Sequence, residues 1–354
     1  MRHPLLASLV LGCSLLLGAT AQAAPRDDFK VCWTIYAGWM PLGEAQAQGI
    51  IDKWAKKYGI HIEVVQLNDY VESINQYTTG QFDGCAMTNM DALTIPAAGG
   101  VDSTALIVSD YSNGNDGVVM KGKGKTLADL KGQQVNLVQF SVSHYLLARA
   151  LQSVGLSERD LTTVNTSDAD MVAAFQTADV RNVVTWNPLL AEIKAQPDTT
   201  EVFDSSKIPG EILDMLVVNT ATLKDNPALG KALTGAWFEM LALMQSGDAK
   251  GKAALEAMAK ASGTDLAGFQ AQLDKTRLFA TPAEALAFVK DPALPTTMQR
   301  IAHFSFEHGL LGQGAPSAEA IGIAYPGGKT SGDAGNLKLR FDPTFVQLAA
   351  DGKL

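Results

Sequence analysis

The sequence predicts an α/β protein of two lobes, each a mostly parallel sheet flanked by helices, with a helical C-terminal region. Three observations lead there. Short apolar runs of strand length alternate with helix-spaced segments across short links, the pattern of right-handed crossovers in a parallel sheet. Several of those runs end abruptly in polar residues, as Phe82-Asp-Gly-Cys-Ala-Met-Thr-Asn-Met-Asp91 does before a second apolar run opens at Ala92; the strand ends of open sheets are where ligands sit. Finally, about 330 residues remain beyond the amino-terminal segment, too many for one ordinary core.

Lys30–Tyr36 is a first strand, broken by the turn Ala37-Gly-Trp-Met-Pro41. The spacing of Ala47, Ile50, Ile51 and Trp54 predicts one helix over Gly43–Tyr58, stopped by Gly59. Ile60–Leu67 is a second strand, Asn68 or Asp69 caps a helix over Tyr70–Thr79, and Phe82–Thr88 is the third strand. After a strand at Thr104–Asp110, the turn-forming Ser112-Asn-Gly-Asn-Asp-Gly117 is the first crossing between lobes. The second lobe has strands at Val118–Lys121, Gln134–Val138, Thr162–Asn165, Val183–Thr185 and Thr200–Phe203. Its helices run over His144–Val154, capped by Ser141 or Ser143, and over Ser167–Thr177. Met215–Asn219 carries the chain back. The expected division is 1–23 as a leader, 24–112 with 219–354 as one lobe, and 113–218 as the other. In the tail, Asn226-Pro227, Thr281-Pro282 and Asp342-Pro343 start helices, and long helices are expected over Asn226–Ser246, Thr264–Leu278 and Pro295–Gly309.

The leader has Arg2 and His3, an apolar run Leu5–Leu17, and Ala21-Gln-Ala23 as a small-x-small cleavage site, which is the form of a secretory signal peptide. Val10-Leu-Gly-Cys13 offers a rival lipid-anchoring site, but the apolar run before it is short; cleavage near Ala23 and soluble release to the periplasm are expected. A net charge of −9 argues against nucleic acid and anionic membrane surfaces as partners. Cys32 and Cys85 remain after the leader, both in predicted strands. Buried free thiols are the expectation; a single bridge requires the first and third strands to be neighbours in an oxidising compartment.

No catalytic or metal motif survives inspection. Gly124-Lys-Thr126 lacks the glycine a phosphate loop needs at Val119, and there is no G-x-S-x-G or H-E-x-x-H. The five histidines are scattered, and only His144 stands at a strand-to-helix junction. Neither a catalytic residue, a metal nor a cofactor is expected.

What the strand ends do offer is one constellation: Tyr36 and Trp39; Asn89 and Asp91; Asp116; Ser141 and His144; Trp186 and Asn187; Glu211 and Asp214. Aromatics with amides and carboxylates suit a small, flat, hydrogen-bonding ligand enclosed between lobes. No Lys or Arg occurs in Tyr36–Leu42, Ala86–Thr94, Gln139–His144, Val183–Leu189 or Ile208–Leu216. A cation or neutral amide therefore fits better than an anion, with carboxylates as acceptors and an indole face for cation–π contact. Each residue also has a plainer reading: Trp39 packs its turn, Trp186 fills a lobe core, Asp91 caps a helix, and His144 is structural. Asp214, just before an apolar strand, is the hardest to explain without a ligand.

Thr126-Leu-Ala-Asp-Leu-Lys-Gly132, Ser141-Val-Ser-His-Tyr-Leu-Leu147 and Thr185-Trp-Asn-Pro188 resemble the second lobe of the nitrate, sulfonate and taurine group of periplasmic binding proteins of ABC importers. Cys32-Trp-Thr-Ile-Tyr-Ala-Gly-Trp-Met-Pro41, Met87-Thr-Asn-Met-Asp-Ala92, Asn113-Gly-Asn-Asp-Gly117 and Ile208-Pro-Gly-Glu-Ile-Leu-Asp214 are similar to its urea and urea-carboxylase-associated branch. The resemblance implies a type II periplasmic binding fold, a monomer that closes on its ligand, and delivery to a membrane permease. It implies guanidinium or urea as the ligand. Two alternatives stay open: a binder of taurine, sulfonate or nitrate, and an enzyme of related fold such as a thiamin-pyrimidine synthase.

Overall fold

The computed structural model describes residues 26–354. The leader and the rival anchoring site at Cys13 lie outside the described residues. Among the described residues fourteen strands form two sheets. They are β1 (Asp28–Thr34), β2 (His61–Leu67), β3 (Gly84–Thr88), β4 (Ser103–Ser112), β5 (Asp116–Lys121), β6 (Gln134–Leu137), β7 (Thr162–Asn165), β8 (Asn182–Trp186), β9 (Thr199–Asp204), β10 (Leu213–Asn219), β11 (Thr276–Leu278), β12 (Gly322–Tyr325), β13 (Lys329–Ser331) and β14 (Leu337–Phe341). The larger sheet has the order β13-β12-β14-β4-β10-β3-β1-β2, with β11 on β4; the smaller is β7-β6-β8-β5-β9.

Parallel pairing holds where helices cross over, in β2-β1-β3 and in β7-β6-β8. The strands that carry the chain between sheets run the other way: β10 is antiparallel to both β3 and β4, and β5 to both β8 and β9. The chain leaves the larger sheet after Ser112 and returns through residues 205–212. Met215–Asn219, expected as the return crossing, instead lie inside β10 at the centre of the larger sheet. Their apolar run is a fully buried strand, which needs a neighbour on each side.

Cys32 stands directly opposite Cys85 in the β1–β3 ladder, with Cα atoms 4.4 Å apart, and the two form a disulfide. This corrects the expectation of free thiols. Adjacency of β1 and β3, left open by the sequence, decides the matter.

The helices follow their signals with two local departures. Asp69 accepts from Glu72 N–H as N-cap of Tyr70–Thr78, and Ser141 caps Val142–Ser153. The single helix expected over Gly43–Tyr58 is two, Met40–Ala47 and Ile50–Lys57, because Gly49 adopts a left-handed φ of +70° between them. The expected helix Thr264–Leu278 stops at Leu273, and Thr276–Leu278 become β11. Helix Pro227–Met244 starts with Asn226 as cap and Pro227 in its first turn. Its buried face packs on Ile50–Lys57 so closely that a Cβ on Gly235 would lie 2.4 Å from the Trp54 ring. Among the described residues no helix is long and apolar enough to cross a membrane.

Candidate functional site

The strand ends of the two sheets face one another across a small cavity. From the larger sheet come Tyr36 and Trp39 on the turn after β1, Tyr70 opening the helix after β2, Thr88 ending β3, and Asp214 in β10; from the smaller sheet come Asp116 in β5, Trp186 ending β8, and Val142 opening the helix after β6. The walls are a chain of aromatic contacts. Tyr36 meets Trp39 edge-on at 5.1 Å between centroids, Trp39 lies 5.8 Å from Tyr70, and Tyr70 meets Trp186 edge-on at 5.5 Å. The Trp39 Nε1–H is buried without a partner.

The polar floor is acidic. Asp116 and Asp214 are each 3% exposed, and neither has a basic side chain among its hydrogen-bonding or ion-pair partners. Ser112 Oγ–H donates to Asp116 Oδ2, while Asp214 Oδ2 has no partner. Behind Asp214 lies Asp110, its cross-strand neighbour in β4, which accepts from Tyr36 O–H at 3.2 Å and Ser109 Oγ–H at 2.8 Å. A β-bulge between Asp214 and Met215 breaks the β10–β4 register there, the kind of irregularity that re-aims a side chain. Gly38 makes this corner possible, since a Cβ there would sit 2.7 Å from Asp110 Oδ2. Burial pushes the Asp116 carboxyl up to about 7. Burial and then the neighbouring Asp110 charge push Asp214 well above the usual carboxylate range. Among the described residues no lysine, arginine or histidine lines the cavity.

Of the eleven residues singled out in the sequence, Tyr36, Trp39, Asp116, Trp186 and Asp214 line this cavity, and the other six do not. Asp91 sits one layer back, accepting from Tyr70 O–H and Thr88 Oγ–H, each at 2.7 Å; burial lifts it to about 6. It orients two lining residues. Asn89 is spent on the backbone, donating to Glu211 O and accepting from Leu213 N–H, so it anchors the return crossing. Ser141 is a helix cap, and Asn187 Nδ2–H donates to Asn115 Oδ1 between β5 and β8.

Glu211 and His144 correct their expectations most clearly. Glu211 is held by Arg149 (2.8 and 3.0 Å), Arg300 (2.6 Å) and Tyr145 O–H (2.6 Å), an ion-paired knot away from the cavity. His144 turns to Glu158, whose other oxygen faces His308. These three donors lie within 4.8 Å of one another, a spacing a metal ion could use. The hydrogen bonds favour protons instead. His144 Nδ1 accepts from Phe140 N–H at 3.1 Å, which puts the ring proton on Nε2, toward Glu158. His308 Nδ1–H donates to Phe304 O at 2.7 Å, so its Nε2 can donate to Glu158 only as an imidazolium. The hydrogen bond to Glu158 raises the His308 pKa accordingly.

Four residues escaped the sequence reading. Tyr70 looks there like an ordinary helix-start residue, Thr88 like one of the polar residues ending its strand, Val142 like core, and Asp110 like the end of a strand. Asp110 carries a related signal, a carboxylate at the end of an apolar run.

Across the mouth of the cavity the two halves touch. Tyr70 N–H donates to Asp168 Oδ1 (3.2 Å), Ser167 Oγ–H to Asp69 Oδ2 (2.8 Å), Trp186 Nε1–H to Ile35 O (3.4 Å) and Ala37 N–H to Asn187 O (3.4 Å).

Comparison with known proteins places this architecture. The alkanesulfonate-binding protein of Xanthomonas axonopodis pv. citri, solved with MOPS bound, superposes with a TM-score of 0.66 at 17% identity, over 82% of this chain and 96% of its own. The periplasmic aliphatic sulphonate binding protein of Escherichia coli gives 0.65 at 21%, over 82% and 95%. The periplasmic nitrate-binding protein of Synechocystis PCC 6803 gives 0.56 at 14%, over 93% and 99%. These are likenesses of fold, and the fold is the two-lobed one of periplasmic binding proteins. In sequence, a curated Escherichia coli (strain K12) protein named for binding aliphatic sulfonates is 44% identical over 64 residues, 18% of this chain. A binding protein of Brucella abortus (strain 2308) is 28% identical over 103 residues, 29% of this chain. The chain matches 20% and 31% of the length of these two curated relatives. The model of the NMT1/THI5 like family matches residues 45–245, more than half of the sequence, and the chain therefore belongs to that family.

Proposed function

We propose that this protein is the solute-binding component of an ABC importer, exported to the periplasm, and that it captures guanidinium between its two halves. One observation carries the reading: two buried carboxylates, Asp116 and Asp214, face an aromatic-walled cavity that no basic side chain lines. Ionised carboxylates are costly to bury unless a positive charge meets them. A small planar cation supplies that charge, donates N–H groups to both acids, and lays its face on Trp39 or Trp186. Sulfonate and nitrate, which similar proteins are named for, and taurine would meet negative charge where they need donors. Urea matches the shape and lacks the charge.

The mouth contacts support closure by rotation about two crossings, residues 113–115 and 205–212. The moving halves are then the larger sheet with the tail and the smaller sheet with its helices, and the ligand selects the closed state. The closed monomer would present solute to a membrane permease. Calorimetric titration with guanidinium, urea, taurine and nitrate tests the reading. Guanidinium should bind tightest. Binding of taurine or nitrate with no response to guanidinium would overturn it.

A further inference from the structure

We infer that Asp110 and Asp214 hold one proton between them in the empty site and that an entering cation expels it, so that the site exchanges a proton for its ligand. The inference rests on the cation reading above and deepens it.

The geometry leaves little choice. The two carboxylates are direct cross-strand neighbours in β4 and β10, and both are buried, Asp110 completely. The ionisable groups facing them are Tyr36 from the turn after β1 and Asp116 from β5, which in turn has Asp91 from the helix after β3 as a neighbour. All are neutral or acidic. The nearby arginines Arg149 and Arg300 are spent on Glu211. Two adjacent ionised carboxylates with no counter-charge cannot both persist in such a place, and a pair of this kind keeps one proton.

The partners also say where the proton sits. Asp110 accepts hydroxyl hydrogen bonds on both of its oxygens, from Tyr36 and Ser109, which favours its ionised form. Asp214 has an oxygen with no donor and lines the cavity. The proton therefore belongs to Asp214, on the ligand's side. Burial raises both carboxyls, Asp110 to about 6 and Asp214 well above the usual range, and their mutual interaction pulls the first down and pushes the second up, in keeping with this assignment. When a guanidinium-type cation enters, its N–H groups donate to Asp214, the Asp214 O–H proton leaves to solvent, and the charge of the pocket is unchanged. Urea brings no charge and leaves the proton in place. The pair thus sets specificity: with its proton present, the site disfavours cations and tolerates neutral amides.

The test is titration calorimetry of the whole protein with guanidinium chloride, at one pH, in phosphate and in Tris, whose ionisation heats differ. The expected result is release of about one proton per cation, with affinity rising roughly tenfold per pH unit while the pair is protonated. Urea should release none. Asp110→Asn should reduce the release, whereas Asp116→Asn should weaken binding and keep it. The wild-type arm needs no variant to fold. Guanidinium binding with equal heats in the two buffers would overturn this inference and leave the proposed function standing. Release undiminished in Asp110→Asn would assign the proton to another group and overturn it as well. Failure of guanidinium to bind at any pH would instead overturn the function.

Discussion

Asp214→Asn should move stability and binding in opposite directions. In the empty protein the substitution removes a buried acid that lacks a partner for Oδ2 and places an amide N–H within reach of Asp110. Unsatisfied buried polar groups cost about 1–3 kcal/mol, so the variant should be more stable by an amount of that order. For a protein of this size that is a rise of several degrees in melting temperature. The gain has a pH signature. The folded-state pKa of Asp214 is raised, so wild-type stability is greatest below the ordinary carboxylate value and falls as pH climbs toward the raised one. An asparagine has no such slope, and the variant's advantage should widen from acid to neutral pH. Binding goes the other way. Loss of one charge-assisted hydrogen bond, roughly 1.5–3 kcal/mol, should weaken guanidinium about ten- to 150-fold and urea less. Thermal melts across pH and calorimetry with both ligands measure the two effects. A variant that melts lower than wild type and binds guanidinium equally well would show Asp214 to be structural.

Three further outcomes follow from features away from the cavity. The Cys32→Ser/Cys85→Ser protein, which opens a 53-residue separation, should lose about 2–4 kcal/mol in urea unfolding, and the wild type should lose the same on reduction. Gly235→Ala should lower the urea midpoint, at a cost of about 1–3 kcal/mol, because the Trp54 ring it would strike is fixed by its Nε1–H bond to Glu239 Oε2 at 2.7 Å. Burial pushes Glu158 up, but hydrogen bonds from His144 and His308 outweigh it and hold the carboxyl at about 2. Its contribution is present above the ordinary glutamate value and is lost as pH falls from there toward 2; that of His308 fades as pH rises through its raised pKa. The stability difference between wild type and Glu158→Gln should therefore shrink at both ends of a pH series of melts, and a constant difference would refute the proton-held triad.

The sequence was legible wherever a local pattern sufficed. Caps at Asp69, Ser141 and Asn226 are signalled within three residues, and they appear as read. The five residues that reach the cavity share one signal, a polar or aromatic group at one end of a buried run. Non-local pairings were hidden. Glu211 looks free in the sequence because Arg149 and Arg300 lie 62 and 89 residues away. His144 looks aimed at a ligand because His308 belongs to the far end of the chain. The strands β12–β14 are three to five residues long, and β14 finds its partner β4 across more than 200 residues. No periodicity can announce such a pairing. Met215–Asn219 has the composition of a strand, but only sheet order says which lobe owns it.

The cavity walls are unevenly divided between the two sheets. Five of the eight lining residues, Tyr36, Trp39, Tyr70, Thr88 and Asp214, belong to the larger sheet, where the Cys32–Cys85 bridge fastens β1 to β3. The smaller sheet brings only Asp116, Val142 and Trp186. Capture and retention should then be governed by different residues. An arriving molecule meets a half-site whose geometry is already fixed, and the encounter rate belongs to that face. On the proposed closure the second acid and second indole arrive last, and residence time would then belong to them. Asp116 and Trp186 are accordingly the positions through which the lifetime of the complex, and with it the pace of hand-over to a transporter, could be tuned without altering how fast solute is found.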